Sequence, residues 1–146
     1  PKIYQEIYHY LSYLNKNDKI ITLSKDRLIS KSTISAINEK YIIRNEDKFS
    51  SNLRIIYVSP IPFIDIKNDN IVSSLLGLCE STFNHKLLLQ PEQIIYLGID
   101  TNYTSNDQLM LLDQLEIKYF SLDKINKLGI DKILKFILKN FENHPI

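Results

Sequence analysis

Apolar residues recur along this chain in two alternating rhythms. Ile3, Ile7, Leu11 and Leu14 stand at helical spacing, with Tyr4 and Tyr8 on the adjoining stripe, so residues 1–14 predict an N-terminal amphipathic helix. Asn15-Lys16-Asn17-Asp18 breaks that pattern, and Lys19-Ile20-Ile21-Thr22-Leu23 is a short β-branched run that predicts a buried strand. Ser32 can cap a helix through Lys40, with Ile34 and Ile37 turned inward. The alternation then repeats. Leu53–Val58 predicts a second strand, Ile71–Cys79 a helix with almost no polar face, and Gln93–Gly98 a third strand. Ser105 with Gln108 has the form of a capping box ahead of Leu109, Leu112 and Leu115, and Glu116–Phe120 predicts a fourth strand. After Gly129, residues 131–141 place Ile133, Leu134, Ile137, Leu138 and Phe141 on one helix face and Lys132, Lys135 and Lys139 on the other.

Four short apolar strands alternating with helices of about ten residues are the signature of βαβ units. The expected fold class is α/β: three layers, a mainly parallel sheet of about four strands flanked by helices. No internal repeat or low-complexity linker interrupts it, so residues 1–146 read as a single domain.

Composition narrows the function classes. Eighteen basic residues against seventeen acidic ones leave a net charge of +1, which offers no electrostatic case for direct nucleic-acid contact or an anionic membrane. The single cysteine, Cys79, sits in an apolar run, excludes an internal disulfide framework and reads as a core thiol. No stretch approaches the ~20 apolar residues of a membrane span, and no secretory pattern opens the sequence. The expected location is intracellular, cytoplasmic or organellar.

Candidate chemistry is sparse. His9, His85 and His144 have no partner at ligand spacing, and Gly77, Gly98 and Gly129 are isolated, so no phosphate loop is present. Asp65 with Asp69 reads as a turn rich in Asn and Asp rather than as a catalytic pair, and Asp100, Asp107 and Asp113 as loop and helix-start charges.

A family resemblance changes this picture. Gln90-Pro91-Glu92-Gln93-Ile94-Ile95-Tyr96-Leu97-Gly98-Ile99 is similar to the stretch of arginases entering their fifth strand. Leu115-Glu116-Ile117-Lys118-Tyr119-Phe120-Ser121-Leu122 with Asn126-Lys127-Leu128-Gly129-Ile130 resembles the segment that follows it in the same family. The likeness covers roughly residues 15–146, corresponding to the middle of an arginase. Arginases hold two manganese ions through a GGDH, a DAHxD and a later DxD segment, because two adjacent hard cations need several carboxylates to neutralise them and bridge a hydroxide.

The resemblance implies that these ligands are gone. The GGDH segment aligns with Ser24-Lys25-Asp26-Arg27, putting a permanent cation, Arg27, at the histidine position. The DAHxD segment aligns with Ser59-Pro60-Ile61-Pro62-Phe63, so its ligands become Ser59, Ile61 and Phe63. Asp65 falls where the family usually has Asn, the substrate loop shortens to Lys67-Asn68-Asp69-Asn70, and Tyr103 and Asn106 replace acidic substrate-facing residues. The strand bearing the DxD ligands would come after His144-Pro145-Ile146. The expectation is a non-catalytic relative of manganese-dependent ureohydrolases with no cofactor. It would serve as a structural or interaction subunit bound to other protein chains of a larger assembly, a ribonucleoprotein being one possible host. The alternative is a metal-free module for a guanidino compound, using Tyr57, Ser59, Asp65, Asp100 and Tyr103 at strand ends.

The resemblance also implies a topological gap. In the family, two later strands separate the strand equivalent to Ile20–Leu23 from that equivalent to Leu53–Val58. Either the first strand moves to pair with the second, or another chain fills the gap; the second solution is preferred, because a partner would bury the exposed apolar surface.

Overall fold

A computed structural model describes residues 2–16, 20, 21, 23, 29–45, 48–67, 70–78, 88–142 and 144–146. They fall into two compact units, Pro1–Asn52 with Asp65–Leu89, and Leu53–Ile64 with Gln90–Ile146.

In the first unit, helix α1 (Lys2–Tyr13) packs on α2 (Ile29–Lys40) through Tyr8, Leu11 and Ala36, flanked by Tyr4, Ile7, Leu14 and Ile20. Lys40 reaches back so that its ammonium donates to the Leu14 carbonyl at 2.7 Å, placing a cation at the end of α1 where carbonyls lack helical partners. The Tyr8 phenol is pushed well above its ordinary range by burial, and by Glu39 beside it.

Helix α2 begins before Ser32 rather than at it. Ser32, Ser35 and Ala36 are buried, whereas Ile34 and Ile37 are only half-buried, the reverse of the predicted face. The small side chains let the neighbouring helix approach closely, and the hydroxyls of Ser32 and Ser35 are left without a partner among the described residues. An antiparallel hairpin follows, β1 (Ile42–Asn45) with β2 (Lys48–Ser51), in the register Ile42–Ser51 and Ile43–Ser50. Helix α3 (Ile71–Leu75) is buried throughout and ends at a turn, shorter than predicted; Cys79 lies outside the described residues.

The second unit is built on a three-stranded parallel sheet, β3 (Ile55–Val58), β4 (Ile94–Ile99) and β5 (Lys118–Ser121), in that order. The buried Gln93 ties its two halves together. Its side-chain amide donates to the Leu53 carbonyl at 2.8 Å, and its side-chain oxygen accepts from the Gln90 N–H at 2.7 Å. Helix α4 (Asn106–Gln114) starts at the expected capping box: the Ser105 hydroxyl accepts from the Gln108 N–H at 3.3 Å. Ser121 caps α5 (Leu122–Leu128), Gly129 ends it at φ 84°, and α6 (Ile130–Asn140) follows. Ile133, Ile137 and Phe141 of α6 and its end pack on Ile95, Leu97 and Phe120, with Ile56 and Ile125 at the margin.

After α6 the chain returns to β3, where the Arg54 N–H donates to the Pro145 carbonyl at 2.7 Å. The β4–α4–β5 connection therefore steps one way across the sheet and β5–α5–α6 steps back. The parallel sheet is flanked by helices as expected, α6 covering the face of Ile95, Leu97 and Phe120. Among the described residues the parallel sheet has three strands rather than the four expected; Lys19 and Thr22 of the expected first strand lie outside them. Ile20, Ile21 and Leu23 belong to no strand, and Ile21 and Leu23 are 86% and 91% exposed. An apolar run becomes a strand only when a neighbour takes its backbone groups, and among the described residues none does so here.

Two substitutions test this packing. Ile137→Ala, at a site with no exposure, is expected to cost ~2–5 kcal/mol in denaturant unfolding. Ser35→Ala removes a buried hydroxyl lacking a partner and is expected to raise stability by ~1 kcal/mol, read as a higher denaturation midpoint.

Candidate functional site

The C-terminal ends of β3 and β4 carry the positions that the sequence nominated. Gly98, at φ 92°, lies within the register shift between Leu97 and Ile99, and this irregularity turns the end of β4. Beyond it, the Asp100 N–H donates to the Pro60 carbonyl at 2.9 Å, and the Thr104 hydroxyl reaches the same carbonyl at 3.2 Å. The loop after β3 is thereby fastened to the turn after β4.

The polar groups of that loop are engaged in holding the loop itself. The Ser59 N–H donates to the Leu97 carbonyl at 3.1 Å. Its hydroxyl donates to the Ile61 carbonyl at 2.7 Å and accepts from the Ile61 N–H at 3.3 Å, closing a tight turn on itself. Pro62 is fully buried, and its carbonyl accepts a hydrogen bond from the Tyr96 phenol rising from the middle of β4. Phe63 takes a left-handed backbone conformation, φ 47°, which a bulky side chain rarely adopts. The Ile64 carbonyl accepts from the Gln108 side-chain amide at 3.3 Å. Burial, reinforced by Tyr57 alongside, pushes the Tyr96 phenol well above its ordinary range.

The other nominated residues serve local turns. An Asp100 carboxylate oxygen accepts from the Asn102 N–H at 2.9 Å, and Tyr103 is 77% exposed on the outside of that turn. In the first unit the Asp65 N–H donates to the Ser73 hydroxyl at 2.6 Å, while its carboxylate accepts from the Lys67 N–H at 2.7 Å. Ser59 and Asp100 thus belong to adjoining loops of one unit, and Asp65 belongs to the other. Arg27, Asn68, Asp69 and His85 lie outside the described residues. Among the described residues, no three His, Cys, Asp or Glu side chains gather as a metal site would require. An opening of about 600 Å³ in the second unit lies elsewhere, between Phe120, Lys124, Leu128, Lys132 and Phe136.

Sequence reasoning missed Tyr96, Thr104 and Gln108 as the clamps of this loop. Tyr96 had one legible signal: a phenol in the centre of a fully apolar strand must find an acceptor.

No protein-family profile matches the chain, and no curated sequence does. Solved structures do. The chain superposes on the cold-adapted arginase of the psychrophilic yeast Glaciozyma antarctica with a TM-score of 0.75 at 21% identity, covering 97% of this chain and 52% of that one. For the arginase of Bacillus cereus the TM-score is 0.79 at 12% identity, covering 98% and 50%. For the formimidoylglutamase of Bacillus subtilis it is 0.74 at 18%, covering 97% and 42%. The fold is arginase-like. The chain spans about half the length of these relatives in structure, so their activities do not pass to it with the likeness.

The arginase-like fold implies manganese, and the loop after β3 does not fit it. Ile61 and Phe63 have no lone pair to give, and the Ser59 hydroxyl is spent on its own turn. Pro62 is buried between them and Phe63 holds a left-handed backbone. These residues support no hydrolytic step through a metal.

Tyr96→Phe leaves the buried Pro62 carbonyl unpaired and is expected to cost ~1–3 kcal/mol in unfolding free energy. A phenol whose folded pKa is raised holds its proton longer in the folded than in the unfolded chain. Its contribution is therefore complete below the unfolded value of 10.0 and is lost as pH rises above it. Stability measured against pH should fall above about 10, and Tyr96→Phe should make that fall shallower.

Proposed function

We propose that the chain is a non-catalytic, arginase-like pseudoenzyme that acts as a structural or interaction subunit of a larger protein assembly inside the cell. One observation carries this reading: the loop that would hold metal ligands is folded inward and stapled by hydrogen bonds from β4 and α4. The Ser59 hydroxyl and the carbonyls of Pro60, Pro62 and Ile64 work for the fold. A framework that keeps its strands, capping box and crossovers while its reactive loop serves packing has its use in its surfaces. No helix among the described residues is long and apolar enough to cross a membrane, and the near-even charge favours protein partners over nucleic acid, including within a ribonucleoprotein host.

The test uses the full chain, purified and dialysed against manganese. The expected result is sub-stoichiometric metal, no urea from arginine and no thermal shift with arginine, agmatine or urea. Urea production that tracks bound manganese would overturn the reading. A saturable thermal shift with arginine or agmatine alone would replace it with the guanidino-binding module.

A further inference from the structure

Phe136 is an aromatic residue that the core of the second unit does not claim. The buried stripe of α6 is Ile133 and Ile137, continued by Phe141, and Phe136 lies off it, 48% exposed. Its ring stands edge-on to Phe120, with centroids 5.9 Å apart, and walls the opening of about 600 Å³ together with Leu128 and Ile133. Small-molecule sites occupy roughly 300–1,000 Å³. Lys132 precedes Phe136 by four residues on the same helical stripe and brings an ammonium to the same opening.

Charge along the opening is sorted by chain order. Asp113 and Glu116 belong to the end of α4 and the turn into β5, and Lys118 is the first residue of that strand. Lys124 and Lys132 belong to α5 and the first turn of α6, which follow the strand's exit. The entry end thus carries two carboxylates against one lysine. The exit end carries two lysines and, among the described lining residues, no carboxylate. The Lys124 ammonium is turned over the Phe120 ring, 5.2 Å from its centroid. A cation held against aromatic surface sees a lower effective dielectric than one in open water, and attracts an anion more strongly.

We infer that this opening binds a small amphipathic carboxylate: an aryl or medium-chain acyl body laid on Phe120, Leu128 and Phe136, with its single carboxylate at Lys124 and Lys132. Two features choose that class. The floor is made of side chains that form no hydrogen bonds, so the body has to be apolar. The lysine end favours an anion, while Asp113 and Glu116 at the other end repel a second one, which sets the ligand apart from dicarboxylates and polyphosphates. The inference goes beyond the interaction-subunit reading and does not depend on it, because the opening shares no residue with the loop after β3.

Isothermal titration of the full chain with 4-phenylbutyrate tests this, with 4-phenylbutylamine and 4-phenylbutanol as controls of like shape. One-site saturation is expected with a Kd below about 1 mM, at least about tenfold tighter than either control and weakening as salt is raised. Lys124→Gln combined with Lys132→Gln is expected to weaken the acid by about tenfold and leave the alcohol unchanged, whereas Phe136→Ser weakens both. Lys135→Gln with Lys139→Gln removes two charges from α6 away from the opening and is expected to change neither. All five positions are exposed, so each variant should keep the circular dichroism spectrum of the parent. No saturation up to roughly 10 mM acid overturns the inference. Equal affinity for acid, amine and alcohol also overturns it, as does undiminished acid binding by the Lys124 and Lys132 double variant or by Phe136→Ser.

Discussion

Strand β4 is paired on both sides and buried on both faces, and the second unit is organised around satisfying it. Ile95 and Leu97 face α6, while Tyr96 points the other way and must bring a phenol into an apolar interior. A buried hydroxyl without an acceptor costs ~1–3 kcal/mol, so the loop that supplies the Pro62 carbonyl cannot be placed freely. The path of residues 59–64 follows from that demand. It is then reinforced from the far end of β4, where the turn at Asp100 and Thr104 takes up Pro60. The same strand is anchored at its start by Gln93, whose amide closes on Leu53 and fixes the register between β3 and β4.

On the proposed reading, this arrangement is how an arginase-like framework persists without metal chemistry. Metal sites of this family need carboxylates and imidazoles crowded together at strand ends, an arrangement that is repulsive until the cations neutralise it. On the proposed reading Ser59, Ile61 and Phe63 stand in their place, bring no such repulsion, and leave the loop against its own sheet. Hydrogen bonds that a catalytic loop would direct at ligands run instead to Leu97, Tyr96, Thr104 and Gln108.

Much of the second unit was legible in the sequence. The apolar runs of β3 to β5, the capping box at Ser105 and the amphipathic α6 each carry a local signal strong enough to decide the element. Helix α5 had its signals too, Ser121 at its start and Gly129 at its end, but they frame only seven residues. The first unit was read less well for a physical reason. Ile20, Ile21 and Leu23 have the composition of a strand, but a strand is a relation between two segments, and composition names only one. The β1–β2 hairpin pairs Arg44 and Asn45 with Phe49 and Lys48, a largely polar stretch that reads as a loop because its stability lies in pairing and not in apolar content. In α2 the isoleucines suggested the inner face, but close helix packing favoured Ser32, Ser35 and Ala36. Of the candidate site, Ser59, Asp100 and Tyr103 could be nominated residue by residue. The clamps of its loop could not, because Tyr96, Thr104 and Gln108 meet it only in three dimensions.

The left-handed backbone at Phe63 limits what this loop could be made to hold. Were aspartates and a histidine written back into positions 59, 61 and 63, they would inherit a main chain aimed elsewhere, with Pro62 packed beneath Tyr96 and φ at 47° beside it. Single reversions would each meet strain or a buried charge before any cation could reward them. Building a metal site here would therefore take more than new side chains: the backbone of the loop has to move first.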